Sequence, residues 1–412
     1  MKHDFDTLHH VGIAAWQKGE LDTAIHYLQQ AIALRPQAMQ AYYNCGVVLQ
    51  QLLRLDEAFS CYNRVLAHPT QFPNAYKAHM NQALILLMQG KLLEGWKKYE
   101  WRWRNSEVGM KQKKRTFIQP LWLGKTPLAG KTIFLHHEQG LGDTLQFCRY
   151  IPQVVALGAQ VVVEVQASLL PLLRTLAGAE SVTWIASNTP SAALPAFDCH
   201  CPLLSLPLAF QTTLESIPAT APYLHPNAER VAIWKERLGK PKKPRVGLVW
   251  RGGSGHYNDH NRSLPLSDLA RYLPPNREYI CLQQEIRQED LAYLRSHQII
   301  HTFEDHIHDF DDTAALCSLV DVVISVDTSV AHLAGALGRP LWLLLPFVPD
   351  WRWMLNRSDS PWYPSATLYR QSTQGDWGSV LQSMRRDLEA QEGQRSMWKA
   401  LRQFLFGDGK KG

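Results

Sequence analysis

The stretch VDVVISVDTSVAHLAGALGRPLW, Val320 to Trp342, decides the fold. Val320 to Val326 is a short apolar run rich in β-branched residues, which reads as a buried strand. Asp327, Thr328 and Ser329 break it with side chains suited to a helix start. Small residues then recur at Ala331, Ala334, Gly335 and Ala336, and Gly338 with Pro340 ends that helix. PLWLLLP is apolar again and reads as the next strand. Strand, helix and strand in this order form a parallel pair with a crossover helix. The segment also marks a site, because hydroxyls and N–H groups gathered at a helix N-terminus attract an anion. His332 lies one turn along on the face of Ser329, where it can donate to a phosphate or a leaving group. A plain cap with a packed histidine is the competing reading.

The same alternation extends on both sides. RVGLVW, EYICLQ and QIIHTF are further strands, and they complete a lobe spanning 244–375. The turn VWRGGSGHYNDHNRSLP (Val249 to Pro265) follows the first of them. Its glycines at 252, 253 and 255 offer backbone N–H groups to an anion. Arg251 and Arg262 add charge, and arginine can hold phosphate oxygens through two N–H groups at once. Upstream, TIFLHH, AQVVVEV and SVTWI are strands separated by the helices DTLQFCRYIPQVVALG and SLLPLLRTLAG, and FDCHCPLLSLPLAF is a strand and turn with a short helix, giving a lobe over 131–237. LGKPKKPR, 238–245, breaks the two apart. Two such runs predict two Rossmann-like lobes, with ligands outside the carboxyl ends of the strands in the cleft.

In the first lobe HHEQGLGDTLQF, His136 to Phe147, places Gly140 and Gly142 in a turn between strand and helix. Asp143 follows the last glycine, where a carboxylate would repel a phosphate. It either caps the helix or serves as a general base, and a helix N-terminus favours its ionised form. His136, His137 and Glu138 are nearby rivals for the base.

The N-terminal region repeats. LHHVGIAAWQKGELDTAIHYLQQAIALRP aligns with AYYNCGVVLQQLLRLDEAFSCYNRVLAHP: Gly12 and Gly46 lie 34 residues apart, as do Ala24 and Ala58, and Pro36 and Pro69 close the units. AHMNQALILLMQGKLLEGWKKYEWRW is a third unit, with Ala83 and Gly95 at the small positions. This pattern resembles tetratricopeptide repeats, an α-solenoid over 1–105 that needs about three units to be stable. Such stacks bind proteins or peptides in a concave groove. A linker is expected over 106–130 and a terminal helix over 376–405 that packs back across the lobes.

Composition excludes several classes. Of 412 residues, 45% are apolar, enough for real cores, and the net charge of +6 is too mild and scattered to imply nucleic acid. The one basic cluster, KQKKR at 111–115, reads as solvated linker, with an anionic partner or membrane surface as its rival. Seven scattered cysteines, including Cys199 and Cys201 read as buried, argue for a reducing compartment. MKHDFDTLHH has no apolar signal region and the longest apolar run is too short to cross a bilayer, so a cytoplasmic location is expected. GKT at 130–132 sits one residue too far from Gly124 for a phosphate loop and precedes its strand. DFD at 309–311 reads as helix entry, with Asp312 and Thr313 as cap. No residues have clear metal spacing.

Residues 122–388 resemble the glycosyltransferase family that includes bacterial lipopolysaccharide heptosyltransferases. The resemblance is carried by GLGDTLQF in the first lobe and DTSVAHLAGALGRP in the second. EQGLGDTLQFCRY, FDCHCPLLSLPLAF, NDHNRSLP and LPFVPDWRWML are similar to a narrower bacterial group in which the transferase follows tetratricopeptide repeats and some members are implicated in glycosylating flagellin. The domain order is also similar to that of the eukaryotic enzyme that places N-acetylglucosamine on proteins. The resemblance implies a GT-B fold, a nucleotide-sugar donor held mainly by the second lobe, no metal or other cofactor, and Asp143 as base. It implies that Arg262, where the family usually has lysine, holds the diphosphate with the helix start after Asp327, and that Gln284 or Glu285 lies near the donor ribose. The expectation is an inverting glycosyltransferase whose repeats recruit a protein acceptor. A glycan acceptor and a non-catalytic scaffold are the alternatives, and exposed repeat edges are compatible with a homodimer.

Overall fold

The computed structural model describes residues 4–104, 117–190, 193–253 and 259–406, with side chains as far as residue 391. The basic cluster at 111–115 and Gly255 lie outside the described residues. Helices α1 (Phe5–Gln17), α2 (Leu21–Leu34), α3 (Met39–Gln51), α4 (Leu55–Leu66), α5 (Ala75–Met88) and α6 (Leu92–Tyr99) open the chain and pack in consecutive pairs. In α2 the buried residues are Leu21, Ala24, Ile25, Leu28 and Ala31, the spacing of one helical face. The repeat glycine has a packing reason: a Cβ on Gly46 would lie 2.7 Å from the ring of Tyr62 in α4.

The first lobe holds strands β1 (Thr132–His136), β2 (Gln160–Val165), β3 (Thr183–Ala186) and β4 (Cys199–Pro202) in the order β3-β2-β1-β4, all pairs parallel. The second holds β5 (Arg245–Val249), β6 (Glu278–Cys281), β7 (Ile300–His301), β8 (Val322–Val326), β9 (Leu341–Leu345) and β10 (Ala366–Arg370). Their order is β10-β9-β8-β5-β6-β7, also parallel throughout. β5 and β8 lie side by side at its centre, so the turns after Val249 and Val326 emerge together on one edge.

Several expectations change. β10, at the sheet edge beside β9, has no clear signal in the sequence, since it leaves Thr367 exposed and mixes polar with apolar residues. The helix expected over DTLQFCRYIPQVVALG breaks into Leu141–Phe147, a tight turn and Ile151–Ala156. Pro152 is the reason, since it lacks an N–H and crowds the preceding turn. Residues 117–130 belong to the first lobe and do not form a linker: Trp122 is buried and its N–H donates to the His200 carbonyl at 2.8 Å. The helix Ala228–Leu238, expected in the first lobe, packs on Phe310–Ser318 of the second, where Trp234 Nε1 donates to Asp312 Oδ1 at 3.0 Å.

The terminal helix Trp377–Phe406 buries Val380, Leu381, Met384 and Leu388 in the core of the second lobe, with Val246, Ile324 and Tyr369. The return across the cleft is made by 350–363 instead. Trp351 packs near Phe147, and Arg149 Nη1 donates to the Trp362 carbonyl at 2.7 Å. DFD is helix entry, but Asp309 is the cap, accepting from the N–H groups of Asp311 and Asp312 at 2.9 and 3.1 Å. No helix among the described residues is long and apolar enough to cross a membrane.

Candidate functional site

A cavity of about 530 Å³ opens between the lobes, a size suited to a small-molecule ligand. Asp143, His332, Gly140, Gly142, Arg251, Gly252, Arg262, Gln284, Glu285, Asp327, Thr328 and Ser329 all line it. Residues from 140 to 332 therefore meet because each follows the carboxyl end of a strand that the two sheets aim at the same cleft.

Asp143 is the third residue of its helix, and its Oδ2 accepts from the Gly140 N–H at 2.8 Å. That N–H is thus turned to the carboxylate and not to a phosphate. Burial pushes the Asp143 carboxyl above its ordinary value, against the pull of an ion pair with Arg352. The helix start and Arg352 hold the charged form, while burial makes it the stronger base. The glycine beside it serves close approach: a Cβ on Gly142 would lie 2.7 Å from His332 Cδ2, across the cleft.

The rivals for the base are placed elsewhere. Glu138 is 2% exposed and paired with Arg102. His136 faces His200 at 3.3 Å, and burial drives its pKa down to about 3. Neither these two nor His137 lines the cavity.

His332 is buried, and its pKa falls well below the ordinary value through burial first and the charges of Arg352, Arg149 and Arg262 after it. It is therefore a neutral imidazole, able to share a hydrogen bond but poorly suited to releasing a proton. Its Nδ1 lies 2.8 Å from the Tyr363 hydroxyl. When Tyr363 donates to Nδ1, the other ring nitrogen carries the proton and is a donor.

The two arginines of the second-lobe turn differ. Arg251 is turned to Glu289 and Asp290 at 2.8 and 2.9 Å, so its charge is already matched by carboxylates. Arg262 pairs more loosely, with Asp259 Oδ1 at 3.5 Å, and its Nη1 donates to the Asp327 carbonyl at 2.7 Å, which fixes its guanidinium beside the helix start. Gly252 makes room for it, since a Cβ there would fall 2.3 Å from Arg262 Nη2. Gln284 and Glu285 are exposed at the rim after β6. The Asp327 carboxyl is raised to about 6, by burial first and by Asp350 next, with Arg262 opposing.

Asp350, Arg352 and Gln283 also line the cavity and were not singled out by the sequence. Arg352 pairs with Asp143, with Asp350 at 2.9 Å and with Gln146 Oε1 at 2.6 Å. Gln283 Oε1 accepts from the N–H groups of Trp250 and Arg251 and so holds the turn after β5. A usable signal existed for the first pair, since PDWRW follows the strand PLWLLLP at its carboxyl end, where ligands gather. Among the described residues no group of three or more His, Cys, Asp or Glu is placed to hold a metal ion.

Residues 14–52 match a family model described as TPR repeat. Protein FlbA of Caulobacter vibrioides is 28% identical over 382 residues, covering 87% of this chain and 63% of FlbA. The chain thus spans less than two thirds of that relative. Among solved structures, a glycosyl transferase family 9 protein from Veillonella parvula matches with TM-score 0.44 and 11% identity, covering 60% of this chain and 87% of that one. The ADP-heptose lps heptosyltransferase II of E. coli matches with TM-score 0.43 and 14% identity, covering 63% and 99%. The chain is thus a stack of six paired helices, with the TPR repeat match over residues 14–52, followed by two parallel α/β lobes that face one cleft.

Proposed function

We propose that the protein is an inverting glycosyltransferase that moves a sugar from a nucleotide donor to a hydroxyl on a protein acceptor recruited by the repeats. One observation carries the reading: the Asp143 carboxyl group of one lobe and the helix start at Ser329, flanked by Arg262, of the other open onto a single cavity. The first turn of a helix has N–H groups without intrahelical partners, so Ser329 and Val330 with Arg262 receive the diphosphate. Asp143 takes the proton from the acceptor hydroxyl. The freed oxygen attacks the anomeric carbon from the face opposite the diphosphate, and the bond to the diphosphate oxygen breaks. Arg262 and the helix start meet the charge that grows on that oxygen. His332, neutral, donates a hydrogen bond and not a proton. No cofactor enters the reading, since the nucleotide sugar is the co-substrate.

The test is thermal stability against ADP, UDP, GDP and CMP and their sugars. A ligand at 100 times its Kd stabilises by about 2.7 kcal/mol. One nucleotide is expected to raise the midpoint, and Arg262→Ala and Gly252→Ala are expected to weaken that shift, the second because its Cβ displaces the guanidinium. A panel with no response would overturn the reading. Modification of a protein co-purified with the chain, read by mass, separates a protein acceptor from a glycan.

The raised Asp327 pKa gives a pH dependence with a definite sign. Its ionised form repels a diphosphate, and its folded pKa of about 6 lies above the ordinary 3.8. Stability from this group is present below the unfolded value and is lost as pH rises through about 6. Nucleotide affinity is expected to rise as pH falls from neutral through about 6, and Asp327→Asn is expected to flatten that slope in calorimetric titrations.

A further inference from the structure

We propose that the end of the repeat solenoid belongs to the catalytic machinery: Arg102 is a positioning residue that fixes the turn from Glu138 to Asp143. This inference rests on the role proposed above for Asp143. In this view the repeats both recruit an acceptor and hold the base in place.

Arg102 lies in the turn Glu100–Arg104 that follows α6, and its side chain is buried. Its Nε donates to Glu138 Oε2 at 2.6 Å and its Nη2 to Glu138 Oε1 at 2.8 Å, a two-pronged grip. Nη2 also donates to Ser205 Oγ at 2.7 Å and Nη1 to Glu100 Oε1 at 2.6 Å. The Leu204 N–H adds a bond to Glu138 Oε1 at 3.2 Å. Glu138 thus accepts three hydrogen bonds from two partners at the start of the turn that ends in Asp143.

The next residue is held as well. Gln139 Nε2 donates to the Tyr99 hydroxyl, at the end of α6, at 3.0 Å. The Gln139 carbonyl accepts from Gln166 Nε2 at 3.2 Å, and Gln166 Oε1 accepts from the Thr144 hydroxyl at 2.8 Å. Two of the anchors on this turn therefore come from the repeat end and two from the lobe.

A buried ion pair adds little to stability over apolar side chains of similar size. What the arginine fork adds is direction, because it fixes a carboxylate in plane and register, which lysine cannot do. Glu138 is too buried to act as a reagent itself.

The test uses the full chain with Arg102→Met combined with Glu138→Met and Glu100→Gln, which removes the arginine together with both carboxylates that it pairs. Hydrogen–deuterium exchange is measured over 138–147, alongside turnover of the nucleotide sugar. Exchange in the turn is expected to rise while β1 and β2 stay protected. Loss of placement at the reacting group is expected to lower kcat roughly 100-fold, with donor KM and the nucleotide-induced thermal shift unchanged. Arg102→Lys, which keeps the charge without the fork, is expected to lower kcat in the same way. Tyr99→Phe removes only the hydroxyl that receives Gln139, and it is expected to give a smaller fall in kcat even if the triple variant does not fold. Wild-type protection of the turn, or wild-type kcat, in these variants would overturn the inference. A wild-type chain inert toward every nucleotide sugar would overturn the functional reading instead, while the exchange data still decide whether Arg102 holds the turn.

Discussion

Asp143→Asn is expected to lower kcat for sugar transfer by about 10²–10⁴-fold, the range for loss of a general base, with fold and nucleotide binding retained. The asparagine oxygen can still accept the Gly140 N–H that Asp143 now receives at 2.8 Å, so the helix start survives. What disappears is the ability to take a proton. Initial rates at saturating donor, with the thermal shift as control, decide the matter. A variant with near wild-type kcat would remove Asp143 from the mechanism. The pH profile supplies a second check. A base works only when unprotonated, so activity is lost as pH falls through its pKa, which burial holds above the usual aspartate value. Arg352 pulls that pKa down, so Arg352→Met is expected to move the acid limb of kcat/KM to higher pH.

Trp96→Ala is expected to destabilise the whole chain, by about 3–5 kcal/mol for a fully buried tryptophan. Trp96 is in the third repeat, yet its ring packs at 6.5 Å from Phe147 of the first lobe and at 5.4 and 6.4 Å from Trp351 and Trp362. Its Nε1 donates to the Thr212 carbonyl at 3.1 Å, which the substitution leaves unpaired. One helix of the solenoid thus braces both sides of the cleft. Denaturant unfolding should show one lowered transition, with loss of the nucleotide response at the same denaturant concentration. Leu93→Ala, at a neighbouring position that is 37% exposed, should stay within about 0.5 kcal/mol of wild type. Separate transitions for repeats and lobes, with the lobes unchanged by Trp96→Ala, would show that the solenoid is only a tether. The same packing means that removing the first 104 residues exposes Phe147 and Trp351, so truncation is a poor test of acceptor recruitment.

Much of the architecture is legible in local patterns. The 34-residue repeat, the alternation of apolar runs with helical periods and the glycine turns are all spacings between near neighbours, and each has a direct steric cause. Gly46 is small because Tyr62 lies against it, and Gly142 because His332 does. Elements whose signal is weak locally were harder to see. β10 is an edge strand with polar residues among its apolar ones, and the break at Pro152 competes with an otherwise helical run.

The sequence by itself determined the repeat module, the two parallel lobes and the loops that carry Asp143, Arg262 and Ser329, because strand ends and glycine turns are written within a few residues. Only the tertiary structure decided what those residues face. Arg352 reaches Asp143 across 209 positions and Arg102 reaches Glu138 across 36, and no local pattern announces either partner. It also decided protonation. The lowered pKa of His332 and the raised pKa values of Asp327 and Asp143 follow from burial and from charges brought in by distant segments. A pKa responds to the space around a group, and that space exists only once the chain has folded.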